Sequence, residues 1–288
     1  MKITGPKLKC QIIDGKYLAE QINLETYKTI NSNKIEPGLA VILVGNDPAS
    51  ELYVSLKQRA CLNANINFHL YKFDESSSEK EIIEVIKFLN ADEETNAILV
   101  QLPLPEKFDA NKIILSIDQN KDVDGFHPKN IEKIKLGKPT ILSPLVLGVD
   151  RLIQETKTEL NNKIITIFAN HEIFAEPFKF LYEKNNKIIF TSLNDHQAQE
   201  KCHEADILIV AIGKPKFVNN KFIKDNAIVI DIGINEISGE TVGDVDANNV
   251  ILKASFITPV PGGVGPMTIA YLLKNTLQLF NKQTQTKK

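Results

Sequence analysis

Cysteine is scarce: Cys10, Cys61 and Cys202 are the only three in 288 residues, an odd number with no C-x-x-C pair. A disulfide framework is thereby excluded, and a reducing compartment is expected. There is no excess of charge of one sign either, since 34 Lys and Arg oppose 36 Asp and Glu for a net charge of −2. Such a balance gives no electrostatic footing for a nucleic-acid or anionic-membrane partner. No apolar run approaches the length of a membrane span. Met1 to Gly15 carries lysines but no apolar core of a secretory signal, so a cytoplasmic protein is expected. His196, Cys202 and His203 come nearest to a metal cluster but lack a full ligand set at zinc-site spacing, and no metal is expected. Internal repeats and low-complexity blocks are absent. The remainder is that of an ordinary globular chain, 43% hydrophobic and 24% charged, long enough for one large or two medium domains.

The hydrophobic pattern alternates strand and helix. Leu39–Val44 is a continuous apolar run that suits a buried parallel strand. Asp47 and Pro48 follow as N-cap and first residue of a helix to about Asn63. Phe68–Phe73 reads as a strand, Ser78 to Glu81 as a capping box opening a helix through Leu89, and Ala97–Val100 as a third strand. A short helix is expected at Asn111–Ile117 and a bridging helix at Leu147–Lys157. A second series follows: strands at Ile164–Phe168, Lys187–Thr191, Asp206–Ala211 and Ala227–Ile232, helices at Glu176–Glu183 and Gln197–Glu204, and a hairpin turn at Ile237–Val242. A final helix from Thr268 to Phe280 and a frayed tail from Asn281 to Lys288 complete the pattern. The fold class is α/β: an N-terminal α/β catalytic domain over 1–147, completed by a C-terminal helix at 266–288, and a Rossmann-like doubly wound dinucleotide-binding domain over 148–265.

Ile257 to Thr268 places three prolines and three glycines between an apolar strand-like run and an apolar helix-like run. Glycine removes the Cβ and proline fixes φ, so the stretch suits a rigid surface that a flat ligand can approach. Tyr53 and Lys57 are four apart, on one face of a helix that starts at the carboxyl end of a strand. A lysine held there away from water has a lowered pKa and can serve as a general acid/base; by spacing alone, a solvated surface lysine is the plainer reading. Gln101 closes the third strand and offers a donor and an acceptor to the edge of a heterocycle. Asp122 and Asp124 lie in Lys-Asp-Val-Asp-Gly, which reads as a turn or as a carboxylate accepting paired hydrogen bonds.

Together, Tyr53-x-x-x-Lys57, Val100-Gln-Leu-Pro-Leu-Pro105, Lys121-Asp-Val-Asp-Gly-Phe-His-Pro128 and Pro259-Val-Pro-Gly-Gly-Val-Gly-Pro-Met-Thr268 resemble the signatures of the bifunctional methylenetetrahydrofolate dehydrogenase/cyclohydrolase family. Pro37 to Ser50, Ala211-Ile-Gly-Lys-Pro215, Asp231-Ile-Gly-Ile-Asn235 and Gly243-Asp-Val245 are similar too, so the resemblance runs from about Ile13 to Phe280. It implies one-carbon metabolism, tetrahydrofolate derivatives as substrates, NADP or NAD as cofactor, and a homodimer. It implies that Lys57, Gln101, Asp124 and Tyr53 are catalytic, with Lys57 the central group. Substrate contacts are implied for Tyr53, Lys57, Val100, Gln101, Leu102, Pro103, Asp124, Pro261, Gly262 and Gly263. Cofactor contacts are implied for Ala211, Gly213, Ile234 and Thr268, together with the loop Ala169, Asn170 and His171.

That last loop departs from the family pattern. Ala169-Asn-His-Glu-Ile-Phe-Ala-Glu-Pro177 has alanine at both glycine positions, His171 for serine, and Glu176 for the basic residue before the proline. Glycines there let backbone approach pyrophosphate, and a carboxylate beside a phosphate repels it. Ser143-Pro-Leu-Val146 also differs from the family's segment before the bridging helix. The departures leave three readings: a cofactor choice moved toward NAD with Asp195 on the ribose hydroxyl, a cyclohydrolase with weakened or lost dehydrogenase activity, or an alignment displaced by a residue or two. A non-catalytic folate-binding paralogue is the alternative outside catalysis, and a dehydrogenase for an unrelated substrate is a third.

Overall fold

The computed structural model describes residues 10–285. In chain order its elements begin with β1 (Gln11–Ile12), α1 (Gly15–Asn33), β2 (Gly38–Val44), α2 (Pro48–Asn63), β3 (Asn67–Phe73), α3 (Glu79–Ala91), β4 (Ala97–Val100), α4 (Ala110–Leu115), α5 (Pro128–Lys135) and α6 (Pro144–Glu155). They continue with β5 (Ile164–Ala169), α7 (Glu176–Tyr182), β6 (Lys187–Thr191), α8 (Ala198–His203), β7 (Ile207–Ala211), β8 (Ile228–Asp231), β9 (Asn235–Ile237), β10 (Glu240–Val242), α9 (Ala247–Val250), β11 (Phe256–Ile257) and α10 (Val264–Gln285). The chain divides into two compact units: Ala19–Pro144 with Thr268–Lys288, and Met1–Leu18 with Leu145–Met267. The expected partition had put all of 1–147 in one domain; the described N-terminal residues instead go with the second unit, where β1 pairs with β11.

The unit Ala19–Pro144 with Thr268–Lys288 is built on a parallel sheet of order β3-β2-β4. Every residue of β2 is buried, and its side chains alternate between two cores. Leu39, Val41 and Leu43 pack with Val54, Cys61, Leu272, Leu273 and Leu277. Ala40, Ile42 and Val44 pack with Ile82, Ile86, Leu89 and Ile113. Burial on both faces is why β2 reads as an unbroken apolar run. The α2 start is as expected, with the Asp47 carboxylate accepting from Ser50 N at 2.8 Å and Pro48 in the first turn. The capping box is also present, Ser78 and Glu81 each accepting from the other's backbone N–H.

The unit Met1–Leu18 with Leu145–Met267 holds a six-stranded parallel sheet of order β1-β11-β8-β7-β5-β6. The chain passes from β5 to β6 on one side and returns to β7 on the other, so order reverses at the carboxyl end of β5. That switch point is where open α/β sheets bind ligands. The expected hairpin forms as β9 and β10. The last helix was placed too late: α10 begins at Val264, not Thr268, and continues to Gln285 through most of the supposed frayed tail. Pro266 is accommodated because the first helical turn has no intrahelical partner for its missing N–H. Residues 286–288 of that tail lie outside the described residues. No helix among the described residues is long and apolar enough to cross a membrane.

Candidate active site

Tyr53, Lys57 and Cys61 follow one another at four-residue spacing along one face of α2. Cys61 is fully buried, and Tyr53 and Lys57 are half-buried. β4 ends at Val100, but Gln101 N still donates to Ile42 O at 2.9 Å, which carries the strand pairing one residue further and fixes the backbone beneath the amide. Lys57 Nζ donates to Gln101 Oε1 at 2.7 Å, and Gln101 Nε2 donates to Leu102 O at 2.6 Å. Both ends of the amide are thus engaged, with its acceptor turned to the lysine. Burial pulls the Lys57 ammonium below the ordinary lysine range, while Asp124 partly opposes that pull. Burial pushes the Asp124 carboxyl up to about 6, against the attraction of Lys57 and with the help of the Asp122 charge. Burial pushes the Cys61 thiol up to about 12, so it stays neutral beside the lysine. Burial also raises the Tyr53 hydroxyl. This is a half-buried lysine and a half-buried carboxylate whose proton affinities have been moved toward each other, the pattern expected where protons are transferred.

The turn bearing Asp124 is held from several directions. Ile98 N donates to Lys121 O at 2.7 Å, and Asn275 Nδ2 donates to Val123 O at 3.1 Å. The Asp122 carboxylate accepts from His127 N, Asn130 Nδ2 and Gly125 N at 2.8, 2.9 and 3.2 Å. Asp122 is therefore the organiser of the turn and Asp124 the carboxylate it presents, which resolves a pair that sequence spacing left open. His127 caps α5, its Nδ1 accepting from Lys129 N. Val100 is buried, Leu102 half-buried and Pro103 exposed, with a cis peptide between the last two.

In the other unit, Pro261, Gly262 and Gly263 lie between β11 and α10, with Val260-Pro261 also cis. Gly262 adopts φ of +106°, a region closed to side-chain-bearing residues, and its carbonyl accepts from Lys16 N at 2.9 Å. A Cβ at Gly263 would meet Pro259 O at 2.5 Å, so these positions demand glycine for local packing as well. Thr268, expected at the loop's end, lies in the second turn of α10.

At the switch point, β5 ends with buried Ala169, and Asn170 and His171 are exposed. Asn170 Nδ2 donates to Ile212 O at 3.2 Å, tying this loop to the one after β7. Glu172 and Glu176, expected to repel a phosphate, both pair with Lys179, at 3.3 and 2.9 Å. One lysine thus offsets one of the loop's two negative charges and holds both carboxylates in ion pairs. Ala211 closes β7, and Gly213 takes φ of +64° with nothing within 4 Å of where a Cβ would stand. Its backbone is shaped by Asp244, a fully buried carboxylate that accepts from Ile212 N, Gly213 N, Lys214 N and Asn235 Nδ2 at 2.7, 3.0, 2.7 and 2.9 Å. Ile234 is exposed beyond β8. These features, an open glycine shelf at a switch point with the flanking carboxylates held in ion pairs, fit a dinucleotide. No group of three or more metal-ligating side chains occurs among the described residues.

The chain matches two family descriptions, the catalytic domain of tetrahydrofolate dehydrogenase/cyclohydrolase over residues 13–124 and its NAD(P)-binding domain over residues 144–284. It is 41% identical over 285 residues to the bifunctional protein FolD of Acetivibrio thermocellus, covering 97% of this chain and 100% of the relative. It is 44% identical over 280 residues to bifunctional protein FolD of Streptococcus pyogenes serotype M1, covering 95% and 99%. Among solved structures, FolD methylenetetrahydrofolate dehydrogenase/cyclohydrolase from Campylobacter jejuni superposes with a TM-score of 0.90 at 37% identity, covering 95% of this chain and 99% of that one. The Trypanosoma brucei FolD, solved with NADP and an inhibitor, gives 0.90 at 27% identity, covering 96% and 99%.

Proposed function

Since the chain belongs to the tetrahydrofolate dehydrogenase/cyclohydrolase family, we propose that it is a bifunctional enzyme of one-carbon folate metabolism. It oxidises 5,10-methylenetetrahydrofolate to the methenyl form with NADP or NAD, and hydrolyses 5,10-methenyltetrahydrofolate to 10-formyltetrahydrofolate. The observation that carries the reading is the Lys57–Gln101 hydrogen bond, with burial shifting the proton affinities of Lys57 and Asp124 toward each other.

In the hydrolysis, the neutral Lys57 amine takes a proton from the water that attacks the methenyl carbon. The resulting ammonium then returns a proton to N5 as the C–N5 bond breaks, leaving the formyl group on N10. A lowered lysine pKa serves both halves of that cycle, and Gln101 Oε1 keeps the amine aimed while leaving its lone pair available. Asp124 is assigned to the pterin's N–H donors, Tyr53 to packing beside the folate, and Val100, Leu102, Pro103, Pro261, Gly262 and Gly263 to its lining. In the oxidation, the nicotinamide supplies the hydride acceptor. The departing hydride is pushed by a folate nitrogen lone pair, so the protein contributes mainly position. Ala211, Gly213, Ile234, Thr268 and the loop Ala169, Asn170 and His171 are assigned to the dinucleotide. Pairing of Glu172 and Glu176 with Lys179 favours this bifunctional reading over a cyclohydrolase alone.

The reading extends to a homodimer in the cytoplasm. β3, a seven-residue strand at the sheet's edge with Leu70 exposed, offers an unpaired ladder to a second copy. Absorbance of methenyltetrahydrofolate tests the activities. The protein should consume it without any dinucleotide and form it from the methylene compound when one is added; failure of either half removes that half.

A further inference from the structure

We propose that this enzyme selects NAD over NADP, with Asp195 as the residue that decides the choice. The inference rests on the reading that the unit with the six-stranded sheet binds a nicotinamide dinucleotide. In such sheets the adenosine ribose lies over the carboxyl end of the second strand, where a carboxylate accepts the 2′-hydroxyl or a cation accepts the 2′-phosphate. Here the second strand is β6, next to β5 at the sheet's edge. Asp195 stands on the turn directly after it, and its carboxylate is fixed on three sides. Thr191 Oγ1 donates to Oδ2 at 2.8 Å, Lys201 Nζ to Oδ2 at 2.7 Å, and Gln197 N to Oδ1 at 2.9 Å. Oδ1 keeps a lone pair for one more donor, and a quarter of the side chain remains exposed. The Lys201 bond, with those from Gln197 N and Thr191, holds this carboxyl down at about 2, so it is charged at any working pH.

A 2′-phosphate would find no cation in reserve. Residues 192–200 after β6 and 170–178 after β5 contain no lysine or arginine. The next lysine after each stretch is already committed, Lys201 to Asp195 and Lys179 to Glu172 and Glu176. Lys214 and Lys216 follow β7, which lies on the far side of β5 from β6, about 10 Å away at ordinary strand spacing. A phosphate carrying nearly two negative charges would therefore meet an ionised carboxylate, whereas a hydroxyl would donate to it.

The test is kcat/KM of the full chain for both dinucleotides, with NADH and NADPH binding followed by fluorescence. The wild type should prefer NAD by about tenfold or more. Asp195→Asn, with thermal melting as a check on folding, should lower NAD use about tenfold and raise NADP use as Lys201 is released. Asn194→Arg, at an exposed position, should raise NADP use while leaving NAD use within about twofold. Equal or better use of NADP by the wild type, or an unchanged ratio in both variants, overturns the assignment of Asp195. Failure to bind either dinucleotide overturns the dinucleotide reading itself and this inference with it.

Discussion

Asp124→Asn separates what this carboxylate does for folding from what it does for the substrate. Its folded pKa is about 6 against 3.8 for the ordinary value, with burial the dominant cause. A carboxyl raised in this way holds its proton better folded than unfolded. Its contribution is therefore fully favourable below pH 3.8 and is lost as pH rises through 6. Two pKa units correspond to about 3 kcal/mol, which partial exposure reduces to roughly 1–2 kcal/mol of destabilisation at pH 8. Asparagine imitates the protonated acid, so the variant should be more stable than wild type at pH 8, by about 2–5 °C in melting temperature, and equal to it near pH 4. The same change should raise KM for the folate at pH 8 by about tenfold or more, since a charged acceptor is lost. In the wild type, KM should climb as pH falls below about 6; in the variant it should be flat there. Paired melting curves at pH 4 and 8, with KM measured from pH 5 to 8, decide the matter. A variant less stable at pH 8, or a wild-type KM indifferent to pH, would refute the reasoning.

Other outcomes follow from single contacts. Asp244→Ala leaves three backbone N–H groups and Asn235 Nδ2 without their buried acceptor; urea unfolding should show a loss of about 3 kcal/mol or more. Lys179→Met uncovers the charges of Glu172 and Glu176, and should weaken dinucleotide binding several-fold, with added salt restoring part of it. Ser78→Ala removes one half of the capping box on α3 and should cost about 1 kcal/mol in chemical denaturation without altering kcat.

The strands were legible because parallel strands buried on both faces read as short apolar runs, and β2, β4, β5 and β7 all do. α2 and α3 were legible from their caps. α1 escaped notice although it has 19 residues. Its buried positions Leu18, Ile22, Thr26 and Ile30 follow helical spacing, but a threonine interrupts the stripe and Tyr17, Leu24 and Tyr27 are exposed. α5 begins at Pro128, the last residue of a motif read for ligand binding, and Gly265 and Pro266 disguised the start of α10. At the site, spacing paired Tyr53 with Lys57 but could not show the Lys57–Gln101 bond, which joins residues 44 apart. Nor could spacing tell which of Asp122 and Asp124 is spent on backbone N–H groups. The ion pairs of Lys179 and Lys201 were not legible because long side chains at such separations can equally stand in solvent, and only the fold of the turns brings them onto Glu172, Glu176 and Asp195.

In the proposed mechanism Lys57 carries the proton transfers of hydrolysis, and hydride transfer does not need it. Lys57→Met should lower the rate of methenyltetrahydrofolate hydrolysis by about 10²–10⁴-fold, the range for a lost general acid/base. The dinucleotide-dependent oxidation, measured in the same preparation, should stay within about tenfold of wild type, the cost of imperfect positioning. Hydrolysis at the wild-type rate, or loss of both activities in equal proportion from a folded protein, would rule out this role for Lys57.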